Sequence, residues 1–334
     1  MIHPQVTVFM AAYNVADFIE TSILSILNQT FKDFELIIVN DGSADDTVAV
    51  VERFDDPRIR LIHNDKNRGI PFTRNRLLEL AQGEYIAILD SDDIAFPDRL
   101  EIQHEFLSGH SNIALCGGHA EIIDTQGNPT GQKFIQPVDQ NINMFFFFGN
   151  PFVNSSVMFR ADVFREVKGY SDYALAEDLD LFFRISERYS VCNTDKVLVQ
   201  YRIHGQNITI KKSDGQFENE KRILTKMQIS LGMSPTEELL LAHQEVFTRA
   251  LDKAHFTEYF QLLKEMKFAN DKSKRFDKHK FKSFLFSKGM EIIQSQKKNG
   301  KALQLYFDKE LFEWSFFRFK SFRRILKISL RGLF

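Results

Sequence analysis

The sequence predicts an α/β fold, a mixed but mainly parallel sheet flanked by helices, with a helical C-terminal appendage. Three observations carry this reading. Short apolar runs alternate with amphipathic stretches over the first 110 residues, the pattern of a parallel sheet covered by helices. Polar clusters follow three of those runs: Tyr13-Asn14, Asp41-Gly42-Ser43 and Asp90-Ser91-Asp92-Asp93. Strand signals nearly vanish after Lys211.

Residues 6–12 read as the opening strand, and Phe18, Ile19, Ile23, Ile26 and Leu27 then recur at helical spacing. Residues 35–40 make a second, β-branched strand. A helix over 46–54, a strand over 58–63, a helix over 71–81 and a strand over 84–89 continue the alternation. Between about 113 and 205 the pattern is mixed, with a strand near Ala114, a helix over 141–147, a strand over 155–159 and a helix over 177–188. Ser234-Pro235-Thr236-Glu237 opens a later helix with a capping box and a proline in its first turn. The expected domains are therefore 1–211 and 212–334.

Composition narrows the function. A formal charge of −2 gives the whole chain no attraction to polyanions, so no nucleic-acid partner is expected. Cys116 and Cys192 lack metal or redox spacing and fit a reducing compartment. Met1 to Gln5 lacks the features of a signal peptide, and no run of 18 apolar residues occurs. A cytoplasmic location follows as the expectation.

The chemistry is expected at the carboxyl ends of the strands, where open α/β sheets bind ligands. Asp90 and Asp92 stand at i and i+2 after the run Tyr85-Ile86-Ala87-Ile88-Leu89. Carboxylates so placed can share Mg²⁺ or Mn²⁺ with a diphosphate, because these cations prefer hard oxygen ligands. Alone, such a pair reads as an ordinary solvated turn. Together with Asp41 and Tyr13 at two other strand ends, it makes a convergent nucleotide site: an aromatic face for the base, and carboxylates for the base, ribose and metal.

Several strings occur in a fixed order: Val8-Phe9-Met10-Ala11-Ala12-Tyr13-Asn14, Gln29-Thr30-Phe31, Phe34 through Ser43, Asn67-Arg68-Gly69 with Arg74-Asn75, and Gly83-Glu84-Tyr85-Ile86 leading into Leu89-Asp90-Ser91-Asp92-Asp93. Over roughly the first two hundred residues the chain thereby resembles the inverting, GT-A-fold glycosyltransferases of family 2. The resemblance implies transfer of a sugar from a nucleotide-sugar donor, a UDP-sugar, to a hydroxyl of a glycan or lipid-linked glycan. The setting it implies is cell-surface polysaccharide or lipopolysaccharide biosynthesis. It also implies that Ala12, Tyr13, Asp41, Arg74, Asp90 and Ser91 line the nucleotide, and that Asp92 binds the metal.

Inversion requires a base for the acceptor proton. Glu177-Asp178 opens an amphipathic helix, where acids also favour the macrodipole. In the family an E-D pair here supplies the base, so Asp178 is expected in that role, Glu177 as its orienting neighbour and Asp180 as the reserve. His204, in the string from Tyr201 to Thr209, is the second expected metal or diphosphate contact. One departure stands out: relatives often carry histidine after Asn-Pro-x-x, whereas this chain has Asn154, which cannot carry a proton near neutral pH.

At the C-terminus Phe312, Phe316, Phe319, Phe322, Leu326, Leu330 and Leu333 recur at steps of three or four. Arg318, Lys320, Arg323, Arg324, Lys327 and Arg331 flank them, and no acidic residue follows Ser315. This suits either an interfacial helix on the cytoplasmic face of an anionic membrane or a terminal helix docked on the chain's own core or on the second copy of a homodimer. Two rival functions fit parts of the sequence. A phosphohydrolase with Asp90 as nucleophile leaves Asp41 and Glu177-Asp178 unexplained, and a catalytically silent nucleotide-sugar-binding or scaffold protein would not need them.

Overall fold

A computed structural model describes residues 3–138, 141–205, 214–296 and 299–333. Two compact units are present, one of Met1–Phe146 with Asn150–Asn219 and one of Phe147–Gly149 with Glu220–Phe334. The boundary expected at 211/212 lies outside the described residues.

In the first unit the strands are β1 (Val6–Ala12), β2 (Phe34–Asn40), β3 (Ile59–His63), β4 (Tyr85–Ile88), β5 (Ile94–Ala95), β6 (Ile113–Ile123), β7 (Pro129–Phe134), β8 (Met158–Arg160) and β9 (Ser190–Arg202). They join in the order β3-β2-β1-β4-β8-β6-β9-β5, with β7 paired to β6. The four strands β3, β2, β1 and β4 run parallel, and β8 enters antiparallel to β4. Because β1 pairs with β2 on one side and β4 on the other, strand order reverses there. That reversal opens a crevice at the carboxyl ends of β1 and β4.

The helices of this unit are α1 (Ile19–Leu27), α2 (Thr47–Val51), α3 (Ile70–Asn75), α4 (Leu77–Leu80), α5 (Arg99–Gly109), α6 (Ala161–Glu166) and α7 (Glu177–Ser186). Alternate residues of β1 and β2, including Val6, Val8, Met10, Leu36 and Ile38, pack with Ile19, Ile23 and Ile26 of α1 in one core. Arg99 at the start of α5 is fully buried and donates from Nη2 to the carbonyls of Ile88 (2.7 Å) and Val157 (3.1 Å). It thereby fastens the end of β4 beside the entry to β8.

Several elements differ from the sequence reading. The helix expected over 71–81 is two, α3 and α4, parted at Arg76. Residues Ile142–Phe148 wind as a 3-10 helix. The strand expected over 155–159 begins only at Met158, since the side chains of Asn154, Ser155 and Ser156 are committed to hydrogen bonds outside the ladder. Short β5, exposed β7, and helices α5 and α6 escaped the sequence reading.

Among its described residues the second unit is helical. α8 (Asp214–Leu231) begins in the residues of the first unit, and α9 (Glu237–Thr248), α10 (Phe256–Ser273), α11 (Lys278–Ser295), α12 (Ala302–Tyr306) and α13 (Phe319–Leu333) follow. The start of α9 corrects the capping expectation. Thr236 is the cap, its side chain accepting from Leu239 N at 3.2 Å, so Pro235 precedes the helix and no glutamate stands at the third position to complete a box.

The terminal stripe needs a larger correction. Ile325, Ile328 and Ser329 of α13 are buried, and Ser329 Oγ donates to the Gly300 carbonyl at 3.2 Å. Phe322 meets Tyr306, Phe307 and Phe317, whereas Phe319 and Leu330 are 71% and 47% exposed. The apolar side of the helix is thus turned onto its own unit, about one residue away from the predicted seam. No helix among the described residues is long and apolar enough to cross a membrane.

His243 in α9 is fully buried, its Nε2 donating to the Phe147 carbonyl at 2.7 Å while Nδ1 lies 3.2 Å from the Gln228 amide nitrogen. A carbonyl only accepts and an amide NH₂ only donates, so both contacts suit the neutral ring. Burial lowers its pKa to about 4. Below the unfolded value near 6.5 the unfolded chain takes up a proton that the native ring refuses, so stability is lost as pH falls towards about 4. The slope contributed is at most about 1.4 kcal/mol per pH unit. Urea unfolding of wild type and His243→Gln between pH 7 and 4.5 is expected to show this part of the slope in the wild type alone.

Candidate active site

Strand register sets the level of the site. Ala12 pairs with Asn40 and Asn40 with His63, so Tyr13, Asp41 and Asn64 leave the sheet side by side. Tyr13 is 47% exposed and offers a ring face. Ala12 is buried, and its carbonyl accepts Asp41 N–H at 2.8 Å. The loop after β1 is clipped to the loop after β2: Asn14 N–H donates to Ser43 Oγ (3.0 Å), and Asn14 Oδ1 accepts from Ala44 N–H (2.8 Å).

Asp41 is buried and gathers the next loop around itself. Its Oδ1 accepts from Asn64 Nδ2 (2.7 Å) and Arg68 N–H (2.9 Å), and its Oδ2 from Gly69 N–H (2.9 Å). A carboxylate has about four acceptor positions, and three of those on Asp41 are filled by these donors. Gly42 lets the backbone of Lys66 and Asn67 pass close beside Asp41. Its φ is +75°, and an added Cβ would stand 2.7 Å from Asn67 N and 2.8 Å from Lys66 C.

The Asp90 carboxylate is the hub of the site. Arg74 Nη2 donates to Oδ1 at 2.8 Å, Asn154 Nδ2 lies 2.9 and 3.0 Å from the two oxygens, and Ser155 Oγ lies 3.0 Å from Oδ2. Asp90 keeps a side-chain exposure of 30%, whereas Arg74 has 8%. Ser155 Oγ also hydrogen-bonds Asp93 Oδ2, and Asp93 Oδ1 accepts from Arg202 N–H at 2.8 Å. A hydroxyl carries one hydrogen and cannot donate to both carboxyls. Burial, reinforced by the charges of Asp92 and Asp90, raises the pKa of Asp93 well above the usual carboxylate range. Ser91 is buried, and its carbonyl accepts from Ser22 Oγ at 3.0 Å.

Asp92 faces His204, with Nε2 and Oδ2 2.9 Å apart and the imidazole stacked on Phe18 at 4.7 Å between centroids. Burial raises the Asp92 pKa, Asp90 adds to this, and the contact with His204 opposes it. Two ligand atoms bound side by side on a small divalent cation stand about 3 Å apart, the separation expected from bonds of about 2.1 Å at right angles. The pair therefore fits one edge of a metal shell. Among the described residues no cluster of three or more His, Cys, Asp or Glu ligands occurs, so a metal held here would draw most of its ligands from phosphate oxygens and water. Gln206 to Thr209, the end of the string containing His204, lie outside the described residues.

Helix α7 brings the second acidic group. Arg74 Nη1 donates to Glu177 Oε1 at 2.7 Å, so one guanidinium spans from β4 to α7. Burial would lower the Arg74 pKa, but the carboxylates of Asp90 and Glu177 overcome it and raise the value. Glu177 rises to about 7, since its burial outweighs Arg74. Asp178 also rises through burial, again opposed by Arg74; its Oδ2 accepts from Asn150 Nδ2 at 3.0 Å and its Oδ1 from Leu179 N–H at 2.7 Å.

The family model for glycosyl transferase family 2 matches residues 7–168. An uncharacterized glycosyltransferase of Haemophilus influenzae is 35% identical over 232 residues, covering 66% of this chain and 72% of the relative. The chain belongs to glycosyl transferase family 2. It is similar as well to the Escherichia coli UDP-Glc:alpha-D-GlcNAc-diphosphoundecaprenol beta-1,3-glucosyltransferase WfgD, with 39% identity over 132 residues, 40% of this chain and 51% of that one. Among solved structures, TarS 1–349 of S. aureus in complex with UDP-GlcNAc superposes with a TM-score of 0.60 at 16% identity, covering 92% and 89% of the two chains. The mannosyltransferase PcManGT of Pyrobaculum calidifontis, in complex with GDP-Man and Mn²⁺, gives 0.51 at 15% identity, covering 100% of this chain and 88% of that one. The architecture of this glycosyltransferase is the GT-A fold.

Within the glycosyltransferase the expected residues fall into bonded groups. Arg74, Asp90 and Glu177 form one and Asp92 with His204 another, while Asp41 organises the loop from Asn64 to Gly69 and Tyr13 stands exposed. Asp180, the reserve base, is fully buried and bound to Arg184 at 2.6 Å, which removes it from that role. Asn150, Ser155 and Asn64 were missed as contacts: single asparagines and serines carry no periodic signal, and only the Asn154 departure drew attention to that segment.

Gly42→Ala should destabilise the enzyme more than Gly69→Ala. Both glycines have positive φ, a strain of about 1–3 kcal/mol for other residues, but an added Cβ meets nothing within 4 Å at Gly69. Denaturant midpoints of the two variants check this order.

Proposed function

We propose that this enzyme transfers a sugar, with inversion, from a UDP-sugar to a hydroxyl of a glycan or lipid-linked glycan, as in cell-surface polysaccharide assembly. The observation that carries the reading is the Arg74 bridge, which holds the Asp90 strand end and the Glu177-Asp178 helix start in one site. The names of similar proteins support the donor and acceptor classes: WfgD is named for UDP-Glc and a diphosphoundecaprenol-linked sugar, and TarS is bound to UDP-GlcNAc.

In this reading Tyr13 stacks on the base, the remaining acceptor position of Asp41 takes a base N–H, and Asp90 with Ser91 faces the ribose. Asp178 Oδ takes the acceptor proton as the O–H bond breaks. The acceptor oxygen forms its bond to the anomeric carbon while the bond to the diphosphate oxygen breaks on the opposite face, the nucleoside diphosphate leaving with the electron pair. The raised pKa of Asp178 makes it a stronger base than a solvated carboxylate. Asp92 and His204 would hold Mg²⁺ or Mn²⁺, whose charge offsets that of the leaving diphosphate; the Mn²⁺ of PcManGT supports this assignment.

Asp178→Asn is expected to lower turnover by about 10²–10⁴-fold, the usual contribution of a general base. Calorimetric UDP-sugar affinity in Mn²⁺ should stay near wild type, and removal of divalent ions should lower wild-type turnover. Unchanged turnover in Asp178→Asn would overturn the base assignment.

A membrane contact at the cytoplasmic face is the second part of the proposal. With Ile325 and Ile328 turned inward, α13 leaves Arg323, Arg324 and Lys327 exposed, next to an exposed Trp314 (77%) and Phe319 (71%). Such a surface suits electrostatic attraction with shallow aromatic anchoring rather than insertion of a whole apolar face. Arg323→Gln/Arg324→Gln/Lys327→Gln should weaken flotation with phosphatidylserine vesicles by about 100-fold, from about 1 kcal/mol for each basic residue. Binding that ignores both the substitutions and added salt would argue against the contact.

A further inference from the structure

We propose that Arg74 is a positioning residue for the proton acceptor, fixing the first turn of α7 against the donor-side end of β4. This rests on the reading of Asp178 as the base. Arg74 is 7% exposed, and each of its terminal nitrogens donates to a protein carboxylate, Asp90 at 2.8 Å and Glu177 at 2.7 Å.

The bridge joins parts of the chain that nothing local brings together. Asp90 lies 16 residues from Arg74 and Glu177 lies 103 residues away. The neighbouring Asn75 supports the same span by closing a two-bond ring with the backbone of Tyr170: Nδ2 donates to the carbonyl and Oδ1 accepts the N–H, each at 2.8 Å. The Tyr170 ring lies 5.6 Å from the guanidinium. Helix α3 is therefore pinned at successive residues to the segment before α7 and to α7 itself.

Glu177 and Asp178 are adjacent in one helical turn, so whatever fixes Glu177 limits where the Asp178 carboxyl can sit. Asn150 holds that carboxyl from the other side. The planar two-ended fork of arginine suits this task, whereas a lysine ammonium is a single point that cannot hold both carboxylates in the same geometry. Misplacing a reacting group by about 1 Å can cost about 10²-fold in rate.

The test compares Arg74→Lys and Glu177→Gln, which keep volume and polar character, with wild type and Asp178→Asn. Arg74→Lys and Glu177→Gln are each expected to lower kcat at saturating donor by about 10–100-fold. Their calorimetric Kd for the UDP-sugar should change less than about threefold, a far smaller effect than the wrong placement of a reacting group. Arg74→Ala leaves two buried carboxylates without their cation, so it serves only for rescue, where millimolar guanidinium should restore part of kcat. The proposal fails if Kd rises in step with the loss of turnover, or if both conservative variants keep wild-type kcat. Should Asp178→Asn be inactive while those variants are unaffected, the base assignment survives and only the positioning role is lost. Should Asp178→Asn retain wild-type turnover, both fall together.

Discussion

A guanidinium can be buried only where counter-charge and hydrogen-bond acceptors wait for it. Arg74 has both, and they come from opposite ends of the catalytic half: Asp90 follows β4, and Glu177 begins α7. Removing one partner of such a buried pair leaves a charge in a poorly solvating interior, at a cost of about 3–5 kcal/mol. Correct assembly of the two acidic groups is thus a condition for burying Arg74 at all. The same interaction that closes the interior of the fold sets the geometry of the site.

Around this bridge the carboxylates divide by environment. Asp180 is fully buried against Arg184, and Asp93 is buried against Ser155 and the Arg202 backbone. Asp41 gathers three donors from one loop and its neighbouring strand end. Asp92 and Asp178 have fewer side-chain partners, His204 for one and Asn150 for the other. Burial raises the pKa of both, which makes them costly to keep ionised and responsive to whatever charge or proton enters the site.

The helical unit shows the same economy on a different surface. Tyr306 is ringed by Phe286, Phe307, Phe312, Phe317 and Phe322, an aromatic cluster that consumes most of the phenylalanines near the C-terminus. The terminal helix contributes its apolar side to its own unit and presents cations outward. An amphipathic helix has one apolar face, and a face already packed cannot also insert into lipid.

Much was legible without coordinates. Period-two and period-3.6 patterning located β1, β2, β3 and β4 to within a residue or two, because each is a locally apolar run bounded by polar residues. The ordered strings around Tyr13, Asp41, Arg74 and Asp90 identified the family, since order and spacing along the chain survive without contacts. Tertiary structure alone decided which of those polar residues touch. It joined Arg74 to both Asp90 and Glu177, paired the buried Asp180 with Arg184, brought in Asn150, Asn154 and Ser155, and rotated the terminal stripe inward. The reason is physical. Periodicity reports which side of an element is apolar, but the partner of a buried charge is chosen by the three-dimensional path of distant residues, as with Glu177, 103 positions from Arg74.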